Sequence, residues 1–428
     1  MKRNLTIAAS IAAALTATLA GTWLFGTDQV AEASEAAVMA PKFEVDPLWP
    51  KPLPNNWVIG QTIGLAVDSQ DNVWIIHRPA SLEAKESYLT RKEADCCTSA
   101  PDVLAFDPNG NLIHSWGKVE GKDWPTSNHG ITVDSKGNVW LGGNGAGQPG
   151  PPAGSAEQFA AARNRGAPDY PGAAAPGVRT YHDSFILKFT TDGKYLGQIG
   201  TANGSKGNAD TENVRGVAQI RFDPKTNELI AADGYGNRRV SVWDPETLKF
   251  KRAWGAYGKP ASDEVPAGRY DPNAAPAQFF RNPVHCAQPS NDGLIYVCDR
   301  VNDRIQIFKT DGTFVKEVFI EKDTLGDGSV WEIAFSRDRE QKFLYIADGA
   351  NEKIHVLDRA TMKEIYSFGG GGRQPGQFYA LHSIVTDSKG NIYTTETYRG
   401  QRVQKFIYKG MGAVKAAHEG TPWPAGKK

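Results

Sequence analysis

One pattern recurs along most of this chain: an alternating apolar run, a short turn rich in Asn, Asp and Gly, then a second alternating run. The first copy reads Ile63-Gly64-Leu65-Ala66-Val67-Asp68, then Ser69-Gln70-Asp71-Asn72, then Val73-Trp74-Ile75-Ile76-His77-Arg78. Its outer half, residues 103–117, does the same around Asn109-Gly110. Such runs around Asn/Asp-Gly turns are β-hairpins, and two hairpins make a four-stranded sheet. Further copies begin near His129, Val217, His285, Trp331 and His382. Copies spaced by about 40 to 70 residues match propeller blades that carry insertions. The expected fold class is all-β, a six-bladed β-propeller with long loops over one face.

The expected organisation is a secretory signal with its small-residue flank over 1–40, an extended strap over 41–57, the propeller over 58–410 and a tail over 411–428. Lys2 and Arg3 precede an apolar run over 5–25, which reads as a signal peptide with cleavage sites at Ala31-Glu32-Ala33 or Val38-Met39-Ala40. Left uncleaved, the run is close to the ~20 residues of a membrane span. Cleavage predicts a periplasmic or secreted protein with no stable membrane insertion. Lys plus Arg and Asp plus Glu number 48 each, so no net field draws nucleic acid or an anionic membrane, and neither is expected as a partner. Export places Cys96, Cys97, Cys286 and Cys298 in an oxidising compartment. Cys286 and Cys298 flank one predicted hairpin and can pair across it; Cys96 and Cys97 are adjacent in a loop, and spacing alone leaves the connectivity open. The strap reads as a tie or as an outer strand that closes the ring. Three long segments, 79–101, 144–181 and 256–281, are expected to cover the channel mouth on the face where the inner strands begin. For the stretch 145–175 a disordered surface loop is the competing expectation.

Counting back five residues from Asp68, Asp134, Asp223, Ser290, Ser336 and Asp387, which end the inner strands, gives Ile63, His129, Ala218, His285, Trp331 and His382. The histidines fall on blades two, four and six, roughly 120° apart on the strands that line the axis. One histidine at a strand start is usually structural, but this placement converges three imidazoles on a metal. Three neutral imidazoles with an open position are the pattern of catalytic zinc, and iron or copper also accept imidazole. His114, His182, His355 and His418 are expected to be packed or solvated. The ends of the second strands reach the same face and bring His77-Arg78, Asp233-Gly234-Tyr235 and Asp299-Arg300. Arginine beside a cation is costly unless an anion binds there. Arg78 and Arg300 therefore imply a small-molecule or peptide-derived substrate with a carboxylate; the alternative is that each pairs with an aspartate of its own repeat.

With these residues in place, the chain resembles the peptidylglycine alpha-amidating lyase (peptidylamidoglycolate lyase) family of NHL-repeat propellers. The likeness covers residues 58–406 and is carried by Ile76-His77-Arg78, His129-Gly130, Asp233-Gly234-Tyr235-Gly236-Asn237-Arg238, Pro283-Val284-His285, Asp299-Arg300-Val301-Asn302-Asp303-Arg304-Ile305-Gln306 and Leu381-His382. The resemblance implies zinc on His129, His285 and His382, Tyr235 as catalytic base, and Arg78 and Arg300 around the substrate. The sequence departs from the family at Ser383, where an aspartate helps bind a structural calcium, so that calcium loses a ligand here. It departs again at Ala380, a methionine in the family, which alters the substrate pocket, and at Gly236, a cysteine in the family.

The leading expectation is an exported metal-dependent lyase that cleaves an N-acyl carbinolamine to an amide and a glyoxylate-like aldehyde. A metal-dependent lactone or ester hydrolase, or an iron or copper oxidoreductase, fits the same three histidines. A non-enzymatic binding propeller is the third reading, because fold alone does not set function. Convergent histidines, arginines and a tyrosine weigh against a bare scaffold.

Overall fold

The repeated turn explains why each hairpin forms. The computed structural model describes residues 37–145 and 182–424. In blade two the Asp134 carboxylate accepts the backbone N–H groups of Lys136 and Asn138 at 2.9 and 2.8 Å. It also takes the Asn138 amide at 2.8 Å and the Trp140 indole N–H at 2.9 Å. One carboxylate thus fixes both the turn and the first large side chain of the next strand. Asp68 repeats this with Asn72 and Trp74, and Asp387 with Asn391 and Tyr393. The residue before each asparagine is left-handed, Gly137 at φ 83°, Gly390 at φ 84° and Asp71 at φ 64°, a region glycine enters without steric cost.

Six four-stranded sheets result. Their innermost strands are Gln61–Val67, Asn128–Val133, Val217–Phe222, Val284–Pro289, Glu332–Phe335 and Leu381–Thr386. The second strands, Val73–Arg78, Val139–Gly143, Leu229–Asp233, Leu294–Asp299, Phe343–Asp348 and Ile392–Glu396, run antiparallel to them. Blade six joins the first and last described strands. Its third strand, Arg402–Ala413, pairs antiparallel with Met39–Asp46, which is outermost. The N-terminal lead therefore supplies an outer strand, starting at Met39, and Trp49 beyond it packs on Phe106 of blade one and Tyr393 of blade six. The last strand runs to Ala413, into the segment read from sequence as tail. Of the signal segment expected over 1–40, residues 1–36 lie outside the described residues, as does nearly all of the 145–175 loop.

The apolar core is divided into seams, each between two neighbouring blades. The inner strands are buried on both faces while the outermost strands are partly exposed, and Trp74, Trp140, Trp243 and Trp331 are fully buried, each taking ~150–250 Å² out of water. The axis itself is polar. Arg221 of blade three crosses it, donating to the carbonyls of Leu65, Ile131 and Ile220 at 3.3, 3.3 and 2.9 Å and to the Glu332 carboxylate at 2.5 Å. One guanidinium so links blades one, two, three and five, and Gln288 of blade four accepts from its Nε at 3.1 Å. Disulfides join Cys286 to Cys298 and Cys96 to Cys97. Among the described residues no helix is long and apolar enough to cross a membrane.

Candidate metal centre

Each candidate histidine sits in a β-bulge. Val284 pairs with Asp299 and Cys286 with Cys298, which leaves His285 as the extra residue. His382 is extra between Leu381 and Ser383, and blade two inserts one residue between Asn128 and Ile131, at His129-Gly130. A bulge kinks its strand and re-aims a side chain; here it turns the ring into the channel. Ile63 and Ala218 occupy the same bulge in blades one and three.

The six equivalent positions work in pairs. His129 Nδ1 bonds the carbonyl oxygen of Ala218 at 2.7 Å, His382 Nδ1 that of Ile63 at 2.9 Å, and His285 Nδ1 that of Trp331. A carbonyl only accepts, so Nδ1 carries a proton in each ring, and the neutral imidazole then presents the Nε2 lone pair. The ring centroids lie 5.3, 4.9 and 4.8 Å apart, and the ligand atoms are all within 4.8 Å of one another. Burial, then repulsion from His382, His285 and Arg78, holds His129 well below the usual imidazole range. Neutral imidazoles with fixed tautomers fit a borderline divalent cation such as zinc, iron or copper, so the residues present form a candidate tri-His metal site.

Tyr235 reaches the same point. Its hydroxyl is 3.1 Å from His129 Nε2, and its ring packs on His129 and His285 at 4.8 and 5.9 Å. Gly234 makes this possible: a Cβ there would collide with the backbone of Val284, next to His285. Arg300, buried at the end of a second strand, points Nη1 at the Tyr235 hydroxyl from 3.5 Å and approaches Asp327 at 3.7 Å. Its guanidinium lies 4.4 Å from the Trp331 ring centroid. The aspartate–arginine pairing within repeats is made by other arginines, Arg239 with Asp233 and Arg304 with Asp299, both at 2.8 Å.

Arg78 stands beside His129, close enough for its charge to act on that ring. It donates to Gln61 Oε1, Asn144 Oδ1 and the Asn128 carbonyl at 3.0, 3.0 and 3.1 Å. Its neighbour His77 is structural, lowered to about 4 by burial, with Nδ1 accepting from Gly60 and Nε2 bonded to the Pro101 carbonyl. Ser383, the family departure beside His382, donates to the Ile63 carbonyl at 2.6 Å. A second group of ligand-type residues joins Glu321, from the connection after blade four, to His355 and Glu364 of blade five. Although burial opposes it, hydrogen bonds to Asp348 and Glu364 raise His355 to about 9. That imidazolium is packed between carboxylates, as expected from sequence, and has no lone pair to offer.

Trp331 is the residue that sequence reasoning passes over. It occupies the histidine offset on blade five, accepts His285 Nδ1 through its carbonyl and carries Arg300 on its ring. The offset count itself places it on the axis.

No family model matches the chain. Curated relatives do. Peptidyl-glycine alpha-amidating monooxygenase A of Xenopus laevis is 26% identical over 280 residues, 64% of this chain and 24% of the relative. Peptidyl-alpha-hydroxyglycine alpha-amidating lyase 1 of Drosophila melanogaster is 22% identical over 390 residues, 85% of this chain and 59% of the relative. This chain is a homologue of the peptidylglycine alpha-amidating enzymes. Its alignment to the rat enzyme, peptidylglycine alpha-amidating monooxygenase of Rattus norvegicus, is 24% identical over 266 residues, 60% of this chain. The chain spans about a quarter of the length of these monooxygenases and 59% of the fly lyase. Among solved structures, a streptogramin B lyase covers 87% of the chain and 98% of its own at TM-score 0.45 and 13% identity.

Proposed function

We propose that this chain is an exported, metal-dependent carbon–nitrogen lyase. It would cleave an N-acyl carbinolamine, releasing an amide and a glyoxylate-like aldehyde from a peptidyl α-hydroxyglycine or a related small molecule with a carboxylate. One observation carries the reading: three imidazoles, a phenol and a guanidinium meet at one point, with the Tyr235 hydroxyl 3.1 Å from His129 Nε2 and 3.5 Å from Arg300 Nη1. Similarity to the fly lyase over 85% of the chain supports it.

His129, His285 and His382 would hold the ion, zinc in this reading. When bound, it supplies Lewis acidity toward the substrate hydroxyl. Tyr235, as the tyrosinate, would take the hydroxyl proton as base and become the neutral phenol. The O–H electrons become the carbonyl bond, the C–N bond breaks with its pair passing to nitrogen, and Tyr235 returns the proton to that nitrogen. No water or oxidant is consumed. Arg300 and Arg78 bind and orient the carboxylate, and the three hydrogen bonds on Arg78 pre-set its direction. The two disulfides suit an oxidising compartment, which agrees with reading 1–40 as an export signal to the periplasm or beyond.

The test pairs Tyr235→Phe with His285→Ala. Tyr235→Phe is expected to lose ~100- to 10,000-fold in kcat, the span of general acid–base catalysis, with metal content intact. His285→Ala is expected to lose the metal. Full turnover in Tyr235→Phe rejects the base. Iron or copper in place of zinc in the purified protein moves the reading to oxidation on the same ligands, and no ion after reconstitution leaves a binding propeller.

A further inference from the structure

Next to the metal centre along the axis, oxygens from five blades face a single cation. Leu65 and Ile131 follow Ile63 and His129 by two residues on their inner strands, at most about 7 Å along the chain. Their carbonyls accept from the Arg221 guanidinium at 3.3 Å each. So do the Ile220 carbonyl at 2.9 Å, Gln288 Oε1 at 3.1 Å and Glu332 Oε1 at 2.5 Å. Blades one to five thus give one oxygen each. Blade six brings Ser383, which lies against the Glu332 carboxylate and donates to the Ile63 carbonyl at 2.6 Å. Arg221 and Glu332 are both buried.

Carbonyls with a carboxylate, and no nitrogen or sulfur among them, are the donor type of a hard metal cation such as calcium. In this chain the guanidinium already fills the place: it offers N–H donors and no lone pair, so it occupies these oxygens without being able to ligate an ion itself. The charges also balance. Glu332 is the carboxylate whose charge acts on Arg221 among the described residues, and Ser383 stands where the amidating lyase family has the aspartate that helps bind its structural calcium. A divalent ion added to this buried pair would be left uncompensated, at high cost. The residues present therefore do not fit a structural calcium on the axis.

We propose that the Arg221 guanidinium is a built-in replacement for a structural metal cation, so that this propeller holds its axis together without calcium. The inference concerns the axial site alone and does not depend on the lyase reading. Removing the guanidinium leaves five acceptors around a buried carboxylate, a set that a small cation entering the vacated space would satisfy.

The experiment compares the metal-loaded mature wild type with Arg221→Ala in denaturant unfolding, first in calcium-free buffer and then with calcium added to about 10 mM, ten times the weakest affinity usual for extracellular calcium modules. Elemental analysis counts the calcium retained. Wild type is expected to retain no stoichiometric calcium and to unfold at the same midpoint in both media. Arg221→Ala is expected to unfold at a lower midpoint without calcium, to take up about one calcium per chain and to gain at least about tenfold in its folding equilibrium constant when calcium is added. Calcium retained by wild type, or a wild-type midpoint that rises with calcium, overturns the proposal. An Arg221→Ala protein as stable as wild type also overturns it, as does one that is destabilised and gains nothing from calcium, because the guanidinium is then a hydrogen-bonding tie and not the occupant of a cation site. If Arg221→Ala folds in neither medium, Arg221→Lys and Arg221→Met decide, since the two side chains are similar in length and differ in charge. A higher midpoint for the Lys variant supports the proposal; equal midpoints, or failure of both to fold, overturn it.

Discussion

Arg300 poses the sharpest question at the residue scale, because a buried guanidinium approaches its carboxylate, Asp327, only at 3.7 Å. Burying a charge with so little compensation is costly. The Trp331 ring at 4.4 Å supplies the missing partner, and a desolvated cation–π contact contributes about 2 kcal/mol or more. Trp331 is thus a positioning residue for Arg300, and through its carbonyl for His285. Trp331→Leu keeps the carbonyl and removes the ring. It is expected to raise KM for a carboxylate substrate by about 10- to 30-fold with metal content unchanged, and Trp331→Phe should recover part of the loss. Steady-state kinetics with metal analysis on the two variants checks this; an unchanged KM in Trp331→Leu removes the platform role. The histidines could be read from sequence because an imidazole that recurs at one offset in alternate blades has few uses besides ligation. Trp331 holds the same offset, yet an indole there reads as core, since nothing in the chain's order says that a cation from another blade lies on it.

At the scale of the element, the second strand of blade four carries Arg300 at its end and the inner strand carries His285 in its bulge. Cys286 and Cys298 sit directly opposite each other and lock these two strands together. The pairing was legible as one option across a predicted hairpin, but the bulge was not: strand alternation shows which residues share a face, and one inserted residue that re-aims a ring leaves the apolar pattern almost unchanged. Two carboxylates hold the backbone just before two of the histidine strands, buried Asp183 accepting from Thr126 at 3.0 Å and half-buried Glu352 from Ala380 at 2.7 Å. Their partners are distant in sequence, which hid them. The disulfide closes a loop with a sequence separation of 12, and constraint of a loop of that size in the unfolded chain is expected to stabilise by about 3 kcal/mol. The double variant Cys286→Ser, Cys298→Ser should lose about that much in denaturant unfolding. No change would mean that the hairpin is held by its hydrogen bonds alone.

For the whole molecule the question is what keeps a ring of six sheets shut, since a propeller that opens at one seam loses the convergence of blades two, four and six on the axis. Arg221 ties the inner strands together across the channel, but it makes no contact with the outer edge, where the ring is sealed. That seal is Met39–Asp46, paired with the last strand from Met39 opposite Ala413 to Asp46 opposite Lys405. Its inward residues Ala40, Phe43 and Val45 belong to the seam between blades five and six. Phe43 stacks on Phe368 at 5.4 Å and meets Tyr345 edge-on at 5.5 Å, so one side chain joins the N-terminal strand to blade five as well as to its own sheet. Phe43→Ala leaves the strand hydrogen bonds in place and removes the ring from a closed cluster, where truncation costs about 3–5 kcal/mol because the cavity cannot fully collapse. If closure at this seam supports the metal centre, the variant should unfold at lower denaturant and also release its metal to a chelator faster than wild type, because transient opening of the ring separates His382 from its partners. A variant that is destabilised but releases metal at the wild-type rate would show that the three inner strands hold together without the outer seal, with Arg221 as the tie that suffices.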